Sequence, residues 1–170
     1  MLYEDTRTVD RQNFLKIVTE AEDGSVIPLM VTGSSMLPFL LDRRSVVYLK
    51  KDNGYQPRRG DIVLFMRTDG SWILHRISRL LPNGRLLING DAQAWTETIT
   101  PQQIVARVVR ICRRKRTFST DHFFYRLLSR MWMPLRLIHP LGARICYIWH
   151  RLPYKLFPRY MAKKHAPKQP

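Results

Sequence analysis

Cysteine is nearly missing from this chain. Cys112 and Cys146 are the only two among 170 residues, too few for a disulfide framework. They also lack the Cys-x-x-Cys or histidine-rich spacing of a zinc site. Both read as buried or idle thiols, and neither a metal nor a cofactor is expected. Long apolar runs are also missing: no window reaches the roughly 18 uninterrupted apolar residues of a membrane-spanning helix. Residues 1–22 mix acids and bases without an apolar stretch, so they read as neither signal peptide nor anchor. The expected location is the cytoplasm. Acidic residues are scarce, 13 Asp and Glu against 29 Lys and Arg, for a net charge of +16. The shortage is local. From Arg107 onward there are 16 Lys or Arg and one acid, Asp121, a net +15, whereas the first 106 residues balance to +1. No internal repeat is present.

What remains is a chain that is 45% hydrophobic, enough to build a core, at a length that suits one domain with an appendage. Phe14, Leu15 and Val18 at helical spacing predict a short helix over residues 10–21, within an N-terminal segment 1–24. Short apolar runs at 25–32, 45–50, 61–66, 72–79, 85–89 and 104–112 predict strands. Asn53-Gly54, Arg59-Gly60 and Leu81-Pro82-Asn83-Gly84 supply turns between them. The expected fold is mainly β, a compact β-domain over residues 25–112. Arg113-Arg114-Lys115-Arg116 then reads as its boundary. Beyond it, Phe123, Phe124, Leu127, Leu128, Met131, Leu135 and Ile138 recur at spacings of three and four among arginines. They predict a basic amphipathic helical tail over 113–170, broken at Pro134 and Pro140, with a second piece over 141–149 and a disordered end.

The chemistry-bearing residues lie in the β-region. Ser35 sits in Val31-Thr32-Gly33-Ser34-Ser35-Met36-Leu37-Pro38, His75 in Trp72-Ile73-Leu74-His75-Arg76-Ile77, and Asp91 follows Asn89-Gly90. A serine hydroxyl is a poor nucleophile until a base removes its proton, which a neutral imidazole does, and a carboxylate can orient that imidazole. Each residue also has a purely architectural reading: Ser35 as a helix cap, His75 as a core histidine, Asp91 as a turn residue. Arg76 reads as a surface or substrate-contacting charge.

Gly33-Ser34-Ser35-Met36-Leu37-Pro38 resembles the Gly-x-Ser-Met-x-Pro nucleophile motif of type I signal peptidases and the related LexA-type serine peptidases. Arg59-Gly60-Asp61-Ile62-Val63 is similar to the structural Arg-Gly-Asp-Ile-Val segment of that superfamily. Leu74-His75-Arg76-Ile77 resembles the branch that uses histidine as the base, the endoplasmic-reticulum and archaeal one. Asn89-Gly90-Asp91-Ala92 resembles the Gly-Asp box, and Ile104-Val105-Ala106-Arg107-Val108 the closing strand. The resemblance covers residues 25–112. It implies a serine endopeptidase in which His75 takes the Ser35 proton as Ser35 attacks a peptide carbonyl. Asp91 or, six residues on, Glu97 would orient the imidazole. The Ser35 amide would serve as oxyanion donor, with Ser34 a candidate second. Gly33 stands where some relatives carry a hydroxyl donor.

The implied partner is a leader-like peptide or protein bound as an added strand, with small side chains near the cut. Signal peptidases are usually tethered by an N-terminal transmembrane helix, for which residues 1–22 offer no apolar stretch. Residues 113–160 offer another route: peripheral contact with an anionic membrane on its inner face, with Trp132, Tyr147 and Trp149 at headgroup depth. Packing on the β-domain or on a partner is the competing reading of that tail. Nucleic acid is disfavoured, because a four-residue basic cluster is weak evidence without a recognition motif. Two other functions stay open. One is a non-catalytic binding protein acting through the tail. The other is a self-cleaving LexA-like regulator, disfavoured by the short segment before the domain and the lack of an Ala-Gly or Cys-Gly bond.

Overall fold

The computed structural model describes residues 11–134, apart from residue 115. Residues 1–10, the second helical piece expected over 141–149, the chain end, Tyr147 and Trp149 lie outside the described residues. Helix α1 (Arg11–Glu20) precedes eight strands: β1 (Val26–Met30), β2 (Ser45–Lys50), β3 (Ile62–Met66), β4 (Trp72–Leu80), β5 (Leu86–Asn89), β6 (Glu97–Ile99), β7 (Ile104–Arg113) and β8 (Arg116–Ser119). Helix α2 (Phe123–Trp132) follows. The molecule is mainly β, as the alternation of short apolar runs and turns implies.

The strands form one antiparallel sheet in the order β1-β2-β7-β3-β4-β5-β6, with β8 paired to β7. β3 sits near its middle and carries the unbroken run Ile62-Val63-Leu64-Phe65, all buried. Because successive side chains alternate between faces, Ile62 and Leu64 enter one core and Val63 and Phe65 another. The first core joins Val47, Leu49, Val108 and Ile111 of the sheet to Val18 of α1 and to Val31, Met36 and Leu40 of the segment between β1 and β2. The second joins Ile77, Leu86, Ile88 and Ile99. The Ser35 segment therefore covers one face of the sheet. On β4, Trp72 and Leu74 pack toward the first core, Ile73 and Ile77 toward the second. By the same alternation Arg76 belongs to the first face and His75 to the second.

The basic run read as the domain's end is instead the turn of a hairpin. β8 pairs back on β7, Arg113 opposite Arg116, and Arg114 adopts a left-handed backbone at φ 49. Arg114 and Arg116 keep their side chains exposed, which leaves the flanking backbone free to pair. α2 then returns to the sheet, so the ordered architecture continues past position 112.

Candidate active site

The Ser35 segment is shaped by backbone geometry. Gly33 has φ +91, a conformation L side chains rarely adopt, and its N–H donates to Asp42 Oδ1 at 2.8 Å. Ser34 is exposed and Ser35 half-buried, while Met36 and Leu37 turn inward. The Ser35 carbonyl accepts a 2.8 Å hydrogen bond from the Ala92 N–H, which fastens the serine loop to the end of β5. Gly90 makes that approach possible. A Cβ there would lie 2.6 Å from the Ser35 carbonyl oxygen and 2.6 Å from Gln93 Oε1, closer than real Cβ contacts allow.

The register sets the serine loop close to β4. Arg76 pairs with Asn89 at the end of the β4–β5 ladder, so the loop, resting on Gly90 and Ala92, meets the end of β5 beside the strand that carries His75. The Ser35 carbonyl takes the space that a side chain at position 90 would need. Ser35 Oγ makes no hydrogen bond among the described residues.

His75 is buried, 3% exposed, between Phe65 at 6.3 Å and the edge-on ring of Trp95 at 6.0 Å. Its Nδ1 lies 3.4 Å from Glu97 Oε1, within ion-pair distance but outside hydrogen-bond alignment. Glu97 is itself clamped by Arg67, whose Nε and Nη2 donate to its two oxygens at 2.7 and 2.8 Å. Burial pushes the His75 pKa below that of a free imidazole; the Glu97 carboxylate opposes the shift and Arg67 adds to it. The imidazole is accordingly neutral at neutral pH, the state a proton acceptor needs.

Asp91 is engaged elsewhere. Arg76 Nε and Nη2 donate to its two carboxylate oxygens, each at 2.7 Å, in a fully buried pair. The carboxylate beside His75 is Glu97, and Asp91 holds Arg76. Arg76 is not the surface charge its chemistry implies: it is 0% exposed. Its Nη1 donates to the Gly60 carbonyl at 2.8 Å and to Ser129 Oγ at 3.2 Å, its Nη2 to Tyr125 Oη at 3.2 Å, and its plane lies 4.8 Å from the Phe39 ring centroid. The Arg59-Gly60-Asp61 segment thereby serves as an acceptor for Arg76, with Gly60 and Asp61 also bonded to the backbone of Ile77.

α2 completes the network from outside the expected β-domain. Trp132 Nε1 donates to the Asp91 carbonyl at 2.7 Å, and Phe39 meets Tyr125 and Trp132 edge-on at 5.8 and 6.3 Å. Trp132 is thus half-buried against the site, which replaces its expected place at a membrane surface. Trp95, Arg67, Tyr125 and Ser129 were not singled out from the sequence. Only Trp95, an aromatic between Gly90 and Glu97, offered a local signal.

Neither a family model nor a curated protein sequence matches the chain. Among the described residues no cluster of His, Cys, Asp or Glu could hold a metal ion.

Two outcomes follow from this packing. Asp91→Ala strands a buried guanidinium and should lower the unfolding free energy by about 3–5 kcal/mol, whereas Glu97→Gln, at a partly exposed pair, should cost about 1 kcal/mol or less. Urea denaturation of both variants checks this, and equal losses would contradict the division of roles. Gly90→Ala should push the Ser35 carbonyl off the Ala92 amide, costing about 1–3 kcal/mol and slowing any reaction at Ser35. Unchanged stability and reactivity would mean that the serine loop does not rest on Gly90.

Proposed function

We propose that this chain is a serine endopeptidase in which Ser35 attacks a peptide carbonyl and His75 acts as general base. The observation that carries the reading is the seat of Ser35 on Gly90 and Ala92 at the end of β5, whose last paired residue, Asn89, lies opposite Arg76, the neighbour on β4 of a buried, neutral imidazole. Glu97, held by Arg67, orients that imidazole and stabilises its protonated form as the proton transfers; Asp91 positions the loop by holding Arg76. His75 then returns the proton to the leaving amine. Ser35 and His75 share no hydrogen bond in this structure; the proposal is that they close on each other when substrate binds, as catalytic hydrogen bonds often tighten only in the complex. Amides of the turn at Ser34 and Ser35 supply the oxyanion donors.

An extended peptide is the substrate this architecture favours. β1 is terminal in the sheet, with one side unpaired among the described residues, and it runs directly into the Ser35 segment. A peptide added along that edge would present its backbone toward Ser35. Trp95, 48% exposed and edge-on to His75, supplies an apolar wall at the scissile bond. The similarity of the Ser35 and His75 motifs to the signal-peptidase and LexA-type superfamily supports the same reading. No helix among the described residues is long and apolar enough to cross a membrane. The proposed site of action, argued from the basic composition beyond position 107, is the inner membrane face or the cytoplasm.

Labelling by a fluorophosphonate or another serine-acylating probe tests the assignment. Wild type should label and Ser35→Ala should not, while His75→Ala should lower the rate by about 10²–10⁴. Equal labelling of wild type and Ser35→Ala would defeat the peptidase reading and leave the non-catalytic one.

The rate should also carry the signature of His75. A base works only when unprotonated, and burial holds this one below its ordinary value of 6.5. The acid limb of kcat/KM is therefore expected below pH 6.5. Glu97 favours the imidazolium, so Glu97→Gln should move the limb further to acid while lowering the plateau. A limb that moves to higher pH in this variant would contradict the Glu97 assignment.

A further inference from the structure

The outer face of α2 is the largest chemical anomaly among the described residues. Phe123, Phe124, Leu127, Leu128 and Met131 are 70%, 69%, 44%, 59% and 63% exposed. Their spacing puts them on one side of the helix, while Tyr125, Ser129 and Trp132 take the side that meets Arg76, Phe39 and Asp91. An ordinary amphipathic helix buries its apolar stripe; this one turns it outward. We infer that the outer face of α2 docks on an anionic lipid surface, with the arginines of the β7–β8 hairpin binding phosphate headgroups beside it.

Charge selects that occupant over a protein. From position 107 onward the chain has 16 Lys or Arg and one acid, Asp121, and Asp121 is paired with Arg126 at 3.0 Å. A protein interface commonly mixes both signs at its rim, whereas an interfacial helix combines a protruding apolar face with cations that meet lipid phosphates. The hairpin lies beside the helix: Arg113, Arg114, Arg116 and Phe118 line an open cleft, and the Phe118 ring lies 5.7 Å from Tyr125 on the inner side of α2. The stripe stands proud as a convex helix rather than forming a groove, so a flat, deformable partner covers it most completely.

Docking does not depend on the peptidase reading, and vesicle co-sedimentation of the full chain tests it alone. The protein should pellet with phosphatidylcholine vesicles containing phosphatidylserine, remain in solution with phosphatidylcholine alone, and be released by salt. Phe124→Ser combined with Leu128→Ser should weaken binding by about tenfold or more, with unchanged circular dichroism because both side chains are exposed. Arg114→Glu with Arg116→Glu, which leaves the helix untouched, should weaken binding and flatten its salt dependence. Ser35→Ala should bind like wild type, so that failure of docking and failure of the peptidase assignment read out separately. Equal binding to both vesicles, binding to neither, or wild-type binding by both folded double variants would overturn the proposal. So would a dimer of the wild type that Phe124→Ser with Leu128→Ser dissociates in analytical ultracentrifugation, since a second copy would then be what covers the face.

Discussion

A guanidinium with no access to water is the constraint around which this site is organised. Removing one charge from water costs several kcal/mol even after relaxation, and the cost is offset only when geometry and hydrogen bonding are nearly complete. Arg76 meets that demand with a bidentate carboxylate, a backbone carbonyl, a serine and a tyrosine hydroxyl, and an aromatic face. The partners come from different parts of the chain: Asp91 from the loop after β5, Gly60 from the turn before β3, Phe39 from the Ser35 segment, Tyr125 and Ser129 from α2. The pair contributes less as attraction than as a condition. Those segments are placed together or the charge is stranded, and the loop carrying Ala92, on which Ser35 rests, is one of them.

Most strands were legible because β1 to β5 and β7 are short apolar runs set off by turn residues, a local signal. The exceptions have local causes as well. β6, Glu97-Thr98-Ile99, has no apolar run to read and exists because its backbone completes the edge of β5. β8 lies in the basic stretch, where composition reads as a domain end although a hairpin needs only a backbone that can turn, here at Arg114. In the site, Ser35, His75, Asp91 and Glu97 were all visible as candidates, but the sorting of the two carboxylates was not. It depends on which strand face each residue takes and on Arg76 being buried, and Arg76 is buried by residues of α2, far away in sequence.

α2 shows how an amphipathic pattern can be correct and its orientation still hidden. The spacing of Phe123, Phe124, Leu127, Leu128 and Met131 marks a helix with an apolar side, and hydrophobicity alone would turn that side toward the sheet. Tyr125, Ser129 and Trp132 outcompete it because the sheet offers polar groups that water cannot reach: Arg76 and the Asp91 carbonyl. Leaving a buried donor or acceptor unsatisfied costs about 1–3 kcal/mol each, more when it is charged. The inner face is accordingly aromatic with polar tips, which fill space and still complete the hydrogen bonding. The apolar stripe is left outside as a consequence.

His75 and Arg76 are neighbours on one strand, both buried, yet burial has opposite outcomes for them. The guanidinium keeps its charge because no pH within reach removes its proton and its partners are complete. Its protonated form is favoured further by Asp91. The imidazole meets the same desolvation with weaker compensation, since Glu97 stands 3.4 Å away and shares its oxygens with Arg67. For His75 the less costly response is to release its proton. Its folded pKa thus lies below the unfolded value, so below about pH 6.5 the unfolded chain binds more protons at this position and stability falls with pH until the folded pKa is passed. Had Asp91 faced His75 instead, the carboxylate would have raised the imidazole pKa and left Arg76 unpaired. Alternation along β4, one residue to each face, is therefore what yields a fixed structural cation and a neutral base side by side.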